Sequence, residues 1–537
     1  MSALVSQPLD LRRTAGALLL ASVLALSLAG VSAAAAPGLP STNVAWQPAA
    51  SDADVDRAFA QARAQKKPVL LYWGASWCPP CNQLKATFFN RQDFAAQARS
   101  LVAVHVDGDR PGAQRLGARF KVRGYPTVIL MTPDGAEITR LPGEADAPQI
   151  LAAMQAALAG GRPVKAVLAD ARAGKALTAN EWRMLAFYSW ETDESQLVPA
   201  AQRPALLAEL AGRSPEGDGE TTTRLWLKAL SASDDGKGLK PDAALRARVQ
   251  RVLGDAALSR LHMDVLIYGA DDMIKVLSDE DSPERSSWSA QFDAVLQRLQ
   301  NDASLSRGDR VSALLARVSV ARIGVARSEL NPKLPEPLQR EVREMAARMD
   351  REITEGYERQ SVITAVAYLQ TQAGQWADSD ALLRGNLARS HSPYYLMSQL
   401  GSNARKQGRA GEALRWYEQA FERSEGPATR LQWGASYLTA LVELAPAEAP
   451  RIEKTAAQLL REAAQDKGAF SERSARSLQR VGGQLVKWNG EGRHAAVMQR
   501  LQRQLDGVCA QVAAAEGQRA TCEALLKPPA AKAGAGA

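Results

Sequence analysis

Two cysteines separated by two prolines, in the run Trp77-Cys78-Pro79-Pro80-Cys81, are the residues here whose type and spacing most directly permit chemistry. They follow an apolar run, Val69 to Trp73, and precede a helix-compatible run, Asn82 to Phe89, so they stand at a strand–turn–helix junction. There, unpaired backbone N–H groups and the positive end of a helix dipole lower the pKa of the first thiol. Cys78 is the expected nucleophile, and Cys81 lies close enough to attack the mixed disulfide that results. The same spacing can be half of a zinc site, which needs two further ligands. Cys509 and Cys522 are more than four hundred residues away, with twelve residues between them, and no histidine flanks the first pair. No metal and no cofactor are expected.

Beyond Cys81 the chain carries Gly124-Tyr125-Pro126-Thr127, then the apolar strand Val128 to Met131 and a Pro133-Asp134-Gly135 turn. With these residues the sequence resembles thioredoxins over Val44 to Leu158, about a fifth of the chain. It is most similar to the periplasmic thioredoxin-like reductase modules of the disulfide-bond (Dsb) machinery, and the Cys-Pro-Pro-Cys turn also resembles that of tryparedoxins. The resemblance implies that Pro126 is cis beside the dithiol, as only prolyl bonds adopt cis at small cost. It also implies that Tyr125 and Pro126, with Trp77, receive the substrate chain.

One departure matters. Where the family places a buried Asp that takes the proton of the second thiol, this chain has Tyr72 or Leu71, and the accompanying lysine falls on Ala103. Proton transfer must then run through water or another group. His105, two residues beyond Ala103 and so on the same strand face, is the candidate proton acceptor. His262, His391 and His494 read as structural or surface residues.

The elements that position these groups follow a thioredoxin order. Ser51 caps a helix whose inner face is Val55, Ala58, Phe59 and Ala62. Leu101 to Val106 is a nearly all-apolar strand of the kind covered on both sides by helices. Helices follow over Ala113 to Phe120 and Pro148 to Ala159, and Gly160 to Pro163 ends the unit.

The chain opens with Arg12-Arg13, an apolar stretch from Ala15 to Val31, and small residues up to Ala36, the pattern of a secretory signal peptide. An N-terminal membrane anchor facing the periplasm is the alternative. The 537 residues exceed one hydrophobic core. The expected division is a signal peptide over 1–33, a linker over 34–51, a thioredoxin-like α/β domain over 52–160, an α-helical domain over 164–527 and a disordered tail over 528–537. Formal charge is +8, with 66 basic and 58 acidic residues interspersed, so nucleic-acid binding is not indicated.

From residue 164 onward the pattern is helix after helix. Thr178 and Glu181 form a capping box ahead of Trp182, Leu185, Ala186, Ser189 and Trp190. Val311, Leu314, Leu315, Val318 and Val325 form a second stripe, while Ser214 to Thr223, Ser231 to Asp242 and Ser278 to Ser287 read as loops. Gly374, Arg389, Ser390 and Pro393 recur 34 residues later as Gly408, Arg423, Ser424 and Pro427. Leu400-Gly401, Gly408, Ala413, Tyr417 and Ala420 resemble a tetratricopeptide repeat, so TPR-like repeats are expected near 362–427. Trp376, Trp416, Tyr417 and Trp433 read as packing residues. Near the C-terminus, Gly517 allows a chain reversal that could bring Cys509 and Cys522 into a structural disulfide.

These features imply an exported, periplasmic thiol-disulfide oxidoreductase that reduces, or relays electrons to, protein disulfides. Its partners would be those disulfides, an upstream thiol-disulfide electron donor and a protein held on the helical domain. The alternative is a helical-repeat scaffold of the cell envelope with a thioredoxin-like binding module and little turnover.

Overall fold

A computed structural model describes residues 44–193, 196–215, 219–233, 238–513 and 517–528. The signal peptide read over 1–33, residues 34–43 of the linker and 529–537 of the tail lie outside them.

Among the described residues, strands occur only between Gln47 and Leu141. In chain order the elements are β1 (Gln47–Ala49), α1 (Asp52–Gln65), β2 (Val69–Gly74), α2 (Pro79–Leu84), α3 (Gln92–Ala98), β3 (Val102–Asp107), α4 (Ala113–Phe120), β4 (Thr127–Met131), β5 (Glu137–Leu141) and α5 (Ala147–Gly160). The sheet order is β1-β3-β2-β4-β5, parallel across β1, β3 and β2 and antiparallel across β2, β4 and β5. Its central strands, Val-Leu-Leu-Tyr-Trp-Gly and Thr-Val-Ile-Leu-Met, are buried throughout because helices cover both faces. Val69, Leu71 and Trp73 point toward α1 and α4, while Leu70 and Tyr72 point toward Phe88, Phe89 and the Ile150–Met154 stripe of α5.

Ser51 and Asp54 form a capping box at α1, so the helix begins where its apolar face begins. The run read as Asn82 to Phe89 is split. Helix α2 starts three residues earlier, at Pro79, and gives way to a π turn over Lys85–Phe89. That wider turn carries two consecutive phenylalanines, Phe88 and Phe89, fully into the core.

From Val164 to Glu523 the described residues form helices and loops only. The core on the Tyr72 face of the sheet continues without a break into Val164, Val167, Leu168, Trp182, Leu185 and Trp190. Ser189 donates its N–H to the Arg140 carbonyl of β5 at 3.0 Å, and the buried Arg140 guanidinium reaches the Thr192 carbonyl at 3.1 Å. The capping box of Thr178 and Glu181 is present, but its helix ends at Ala186. Ser189 and Trp190 are buried beyond the helix end, where β5 supplies the partner of Ser189 and the Trp190 Nε1–H donates back to the Leu185 carbonyl at 3.1 Å.

Two of the segments read as loops are partly helical. Thr221, Thr222 and Thr223 lie buried in a helix over Gly219–Ser231, and Pro283 opens a helix reaching Asn301. Packing overrides the loop-like composition in both. Val325 lies outside its stripe, since that helix ends at Ala321 and leaves Val325 exposed. Farther on, helices Pro393–Lys406 and Ala410–Arg423 are joined by Gly408 at φ +74°. A Cβ at Gly401 would stand 3.1 Å from the Tyr417 ring, so glycine permits the close approach of this pair. No described helix is long and apolar enough to cross a membrane.

Candidate active site

Strand β2 delivers the chain to a turn at Ala75-Ser76-Trp77, and Cys78 is the N-cap of α2. Pro79 and Pro80 fill the first two helical positions, where a missing N–H costs nothing. Cys78 and Cys81 form a disulfide with Cα atoms 5.2 Å apart. The Cys81 N–H donates to Cys78 Sγ at 3.2 Å, since the two prolines have none to offer. The Tyr125–Pro126 peptide bond is cis.

The pair is covered. Cys78 is 2% exposed and Cys81 is fully buried, in one apolar cluster with Tyr394, Met397 and Trp433 of the helical region. Trp77 stacks on Tyr395 at 5.9 Å and meets the edge of Trp433 at 6.0 Å, while the Arg473 guanidinium lies over the Trp77 ring, 4.6 Å from its centroid. The Trp77 Nε1–H donates to Asp109 Oδ2 at 2.7 Å. Asp109 Oδ1 in turn accepts from Thr429 Oγ1 and from Arg473 at 3.4 Å. His391 Nε2 lies 3.0 Å from the Ser76 carbonyl oxygen, and Gln83 bonds to Ser306, Asp309 and Ser361 at 3.0 to 3.1 Å. The redox turn is thus clasped by residues more than two hundred positions later in the chain.

The titratable groups beneath the turn differ from the sequence reading. His105 is stacked on Tyr72 at 5.0 Å and edge-on to Trp46, and burial, with Lys85 and Arg110 nearby, pushes its pKa down to about 3. A proton is poorly held there at neutral pH. Two groups the sequence reading missed lie close by. Lys85 is 2% exposed and four residues after Cys81, hence on the same face of the helical run. Burial lowers its pKa to about 8, opposed by Asp107. Asp107, at the end of β3, is raised to about 6 by burial first and by Asp109 second. A lysine between Leu84 and the two phenylalanines was the one sequence signal for this pair.

Among the remaining residues singled out from the sequence, Trp77 and Tyr125 share the apolar cluster of the two cysteines, Pro126 lines a cavity with Pro79 and Pro80, and Tyr125 Oη accepts from Gln114 at 2.6 Å. Trp433, read as a packing residue, lies against Trp77. Cys509 and Cys522 form a second disulfide, Cα atoms 5.6 Å apart, far from the first in sequence. The described residues contain no cluster of His, Cys, Asp and Glu able to hold a metal.

Comparison with known proteins places this geometry. Residues 55–158 match the thioredoxin-like domain family. The chain is 34% identical over 120 residues to thiol:disulfide interchange protein DsbD 2 of Pseudomonas aeruginosa, covering 22% of this chain and 20% of that protein. It is 34% identical over 116 residues to DsbD 1 of the same organism, covering 20% and 19%. With DsbD of Ralstonia nicotianae it shares 31% over 135 residues, covering 24% and 22%. The chain therefore spans about a fifth of the length of the curated relatives it matches. It contains a thioredoxin-like domain, similar to part of these interchange proteins, followed by a large helical region that the match does not reach.

Proposed function

We propose that the protein is an exported thiol-disulfide oxidoreductase that reduces, or relays electrons to, protein disulfides of the cell envelope. The observation that carries this reading is the Cys78–Cys81 disulfide at the start of α2 in a chain whose Tyr125–Pro126 bond is cis. In the reduced protein the Cys78 thiolate attacks a client disulfide, forming a Cys78–client bond and releasing the other client sulfur as a thiolate that takes up a proton. Cys81 then gives up its proton and attacks Cys78 Sγ, closing the Cys78–Cys81 bond and releasing the second client thiol. Two electrons pass to the client, and an upstream dithiol donor restores the pair. The basic and apolar opening, Arg12 to Val31, supports export. The close Gly401–Tyr417 contact and the Gly408 turn support TPR-like helix pairing near 362–427.

The test is single-turnover reduction of a small chromogenic disulfide by the pre-reduced full chain and by Cys78→Ser. For a symmetric chromogenic disulfide the reading predicts two equivalents of chromogenic thiol per dithiol for the unchanged chain, one at each step of the exchange, and none above background for the variant. Equal rates favour the second reading, an envelope scaffold whose thioredoxin-like module binds without turnover. That alternative draws support from the burial of Cys78 under the helical residues.

A further inference from the structure

A cavity of about 820 Å³ opens beside the redox turn. One wall is the thioredoxin-like domain, with Pro79 and Pro80 next to Cys78, the Gly124–Pro126 backbone, and Gly143 and Glu144. The other wall is helical, from the helices Met263–Leu277, Arg307–Ala321, Gly356–Gln372 and Pro393–Lys406. Three large apolar or aromatic side chains are conspicuously exposed among the described residues, and two of them, Tyr268 at 52% and Tyr368 at 47%, line this cavity. Scattered exposed aromatics need no explanation, but two facing one chamber at a reactive turn do. Ser312 and Thr364 line it too; Ser312 Oγ accepts from Tyr268 Oη at 3.4 Å, and the Thr364 hydroxyl is turned back onto the Gln360 carbonyl at 2.9 Å. Tyr395 belongs to both places, lining the cavity and stacking on Trp77.

We infer that the helical wall is half of the client site, that the cavity takes a single extended polypeptide segment bearing a disulfide, and that Tyr395 is displaced when the segment reaches Cys78. The inference rests on the oxidoreductase reading and adds the class of client. An extended chain needs roughly 160 Å³ per residue at strand and sheet spacings, so the cavity has room for about five residues. A folded partner presents a face of about 800 Å² per side and cannot enter a chamber walled on both sides. Tyrosines offer broad apolar faces with a polar tip that can pair with backbone amides, so the walls grip a chain with little demand on its sequence. The chemistry is the two-step exchange given above, with the segment's disulfide as the oxidant and a dithiol donor to restore the pair.

Three probes carrying the same chromogenic thiol test this on the pre-reduced full chain. They are a short linear peptide with its cysteine in a mixed disulfide with the chromogen, a folded protein with one surface cysteine so modified, and the small chromogenic disulfide itself. The peptide is expected to react at least tenfold faster than the folded protein. The ratio of peptide rate to small-disulfide rate should fall about tenfold in the Tyr268→Ala/Tyr368→Ala double variant. Independently of whether that variant folds, the Cys81→Ser chain trapped with a peptide carrying a photo-crosslinker beside its cysteine should label the helices that bear Tyr268 and Tyr368. Equal rates for peptide and folded protein, an unchanged ratio in a folded variant, or labels confined to the thioredoxin-like domain would each overturn the inference. No reaction with the small disulfide would instead overturn the oxidoreductase reading beneath it.

Discussion

The two disulfides of this chain are alike in burial and unlike in everything around them. Cys78–Cys81 closes three residues at a helix start, receives one N–H at its first sulfur, and borders a cavity through Pro79 and Pro80. Cys509–Cys522 has a sequence separation of thirteen, links the helices Ala495–Gln511 and Gln518–Glu523, and shares an apolar cluster with Leu501, Leu505 and Val508. Burial alone therefore does not separate a reactive pair from a structural one. Position at a helix start is what differs: Cys78 is an N-cap, while Cys509 and Cys522 lie within their helices.

Replacing each pair in turn should pull the comparison apart. Cys78→Ser is expected to lower the rate of disulfide reduction by at least a factor of about a thousand, because no other group supplies the nucleophile. Cys522→Ser should leave that rate in place and cost stability instead, about 3 kcal/mol for a loop of this size, read as a shifted urea midpoint. A comparable loss of rate in both variants would erase the distinction.

The cover over the first pair can be strained without touching a sulfur. A Cβ on Gly308 would fall 1.9 Å from Gln83 Oε1, the side chain that bonds Ser306, Asp309 and Ser361. Gly308→Ala must push Gln83 aside, at a cost of about 2 kcal/mol from lost hydrogen bonds and overpacking. Chemical denaturation checks the cost, and an unchanged midpoint would show that the clasp is not tight. The same substitution at Gly507, which has open space around it, should cost nothing of this kind.

A smaller effect separates the two regions by pH. Asp107 near the redox turn has its folded pKa raised to about 6, so the folded chain holds this proton more tightly than the unfolded one. Its contribution to stability is full below the ordinary carboxylate pKa and is lost as pH rises through about 6. Against Asp107→Asn, the unchanged chain should lose on the order of 1 to 2 kcal/mol between pH 4 and pH 7. Lys85, lowered to about 8, acts in a higher window and does not mask this. Urea unfolding of both proteins at several pH values measures it, and parallel curves would refute the assignment.

Much of the redox turn was legible because its signals are local. The apolar run before Cys78, the two prolines after it and the Gly124–Thr127 run are each a short window, within which strand, cap and turn preferences act directly. What covers the turn was not legible. Asp109 meets Arg473, and Gln83 meets Ser361, across hundreds of residues with no shared periodicity to announce the contact. The π turn at Lys85 was also hidden, since its cause is the burial of both Phe88 and Phe89. His105 shows a related limit: strand alternation gave its face, but not the burial and the stacking on Tyr72 that go with a lowered pKa.

The central claim is that the first disulfide exchanges electrons while the second holds structure. Equilibrating the oxidised full chain in graded thiol-disulfide buffers, quenching with alkylator and locating the label by mass spectrometry tests both pairs at once. With only the Cys81 N–H at Cys78 Sγ, the thiolate gains little stabilisation, which favours a reducing pair. The account predicts that Cys78 and Cys81 open first, toward the ~-270 mV of thioredoxin, while Cys509 and Cys522 stay closed until below about -300 mV. Opening of Cys509–Cys522 before Cys78–Cys81, or a first pair near the ~-120 mV of a strong oxidant, would contradict it.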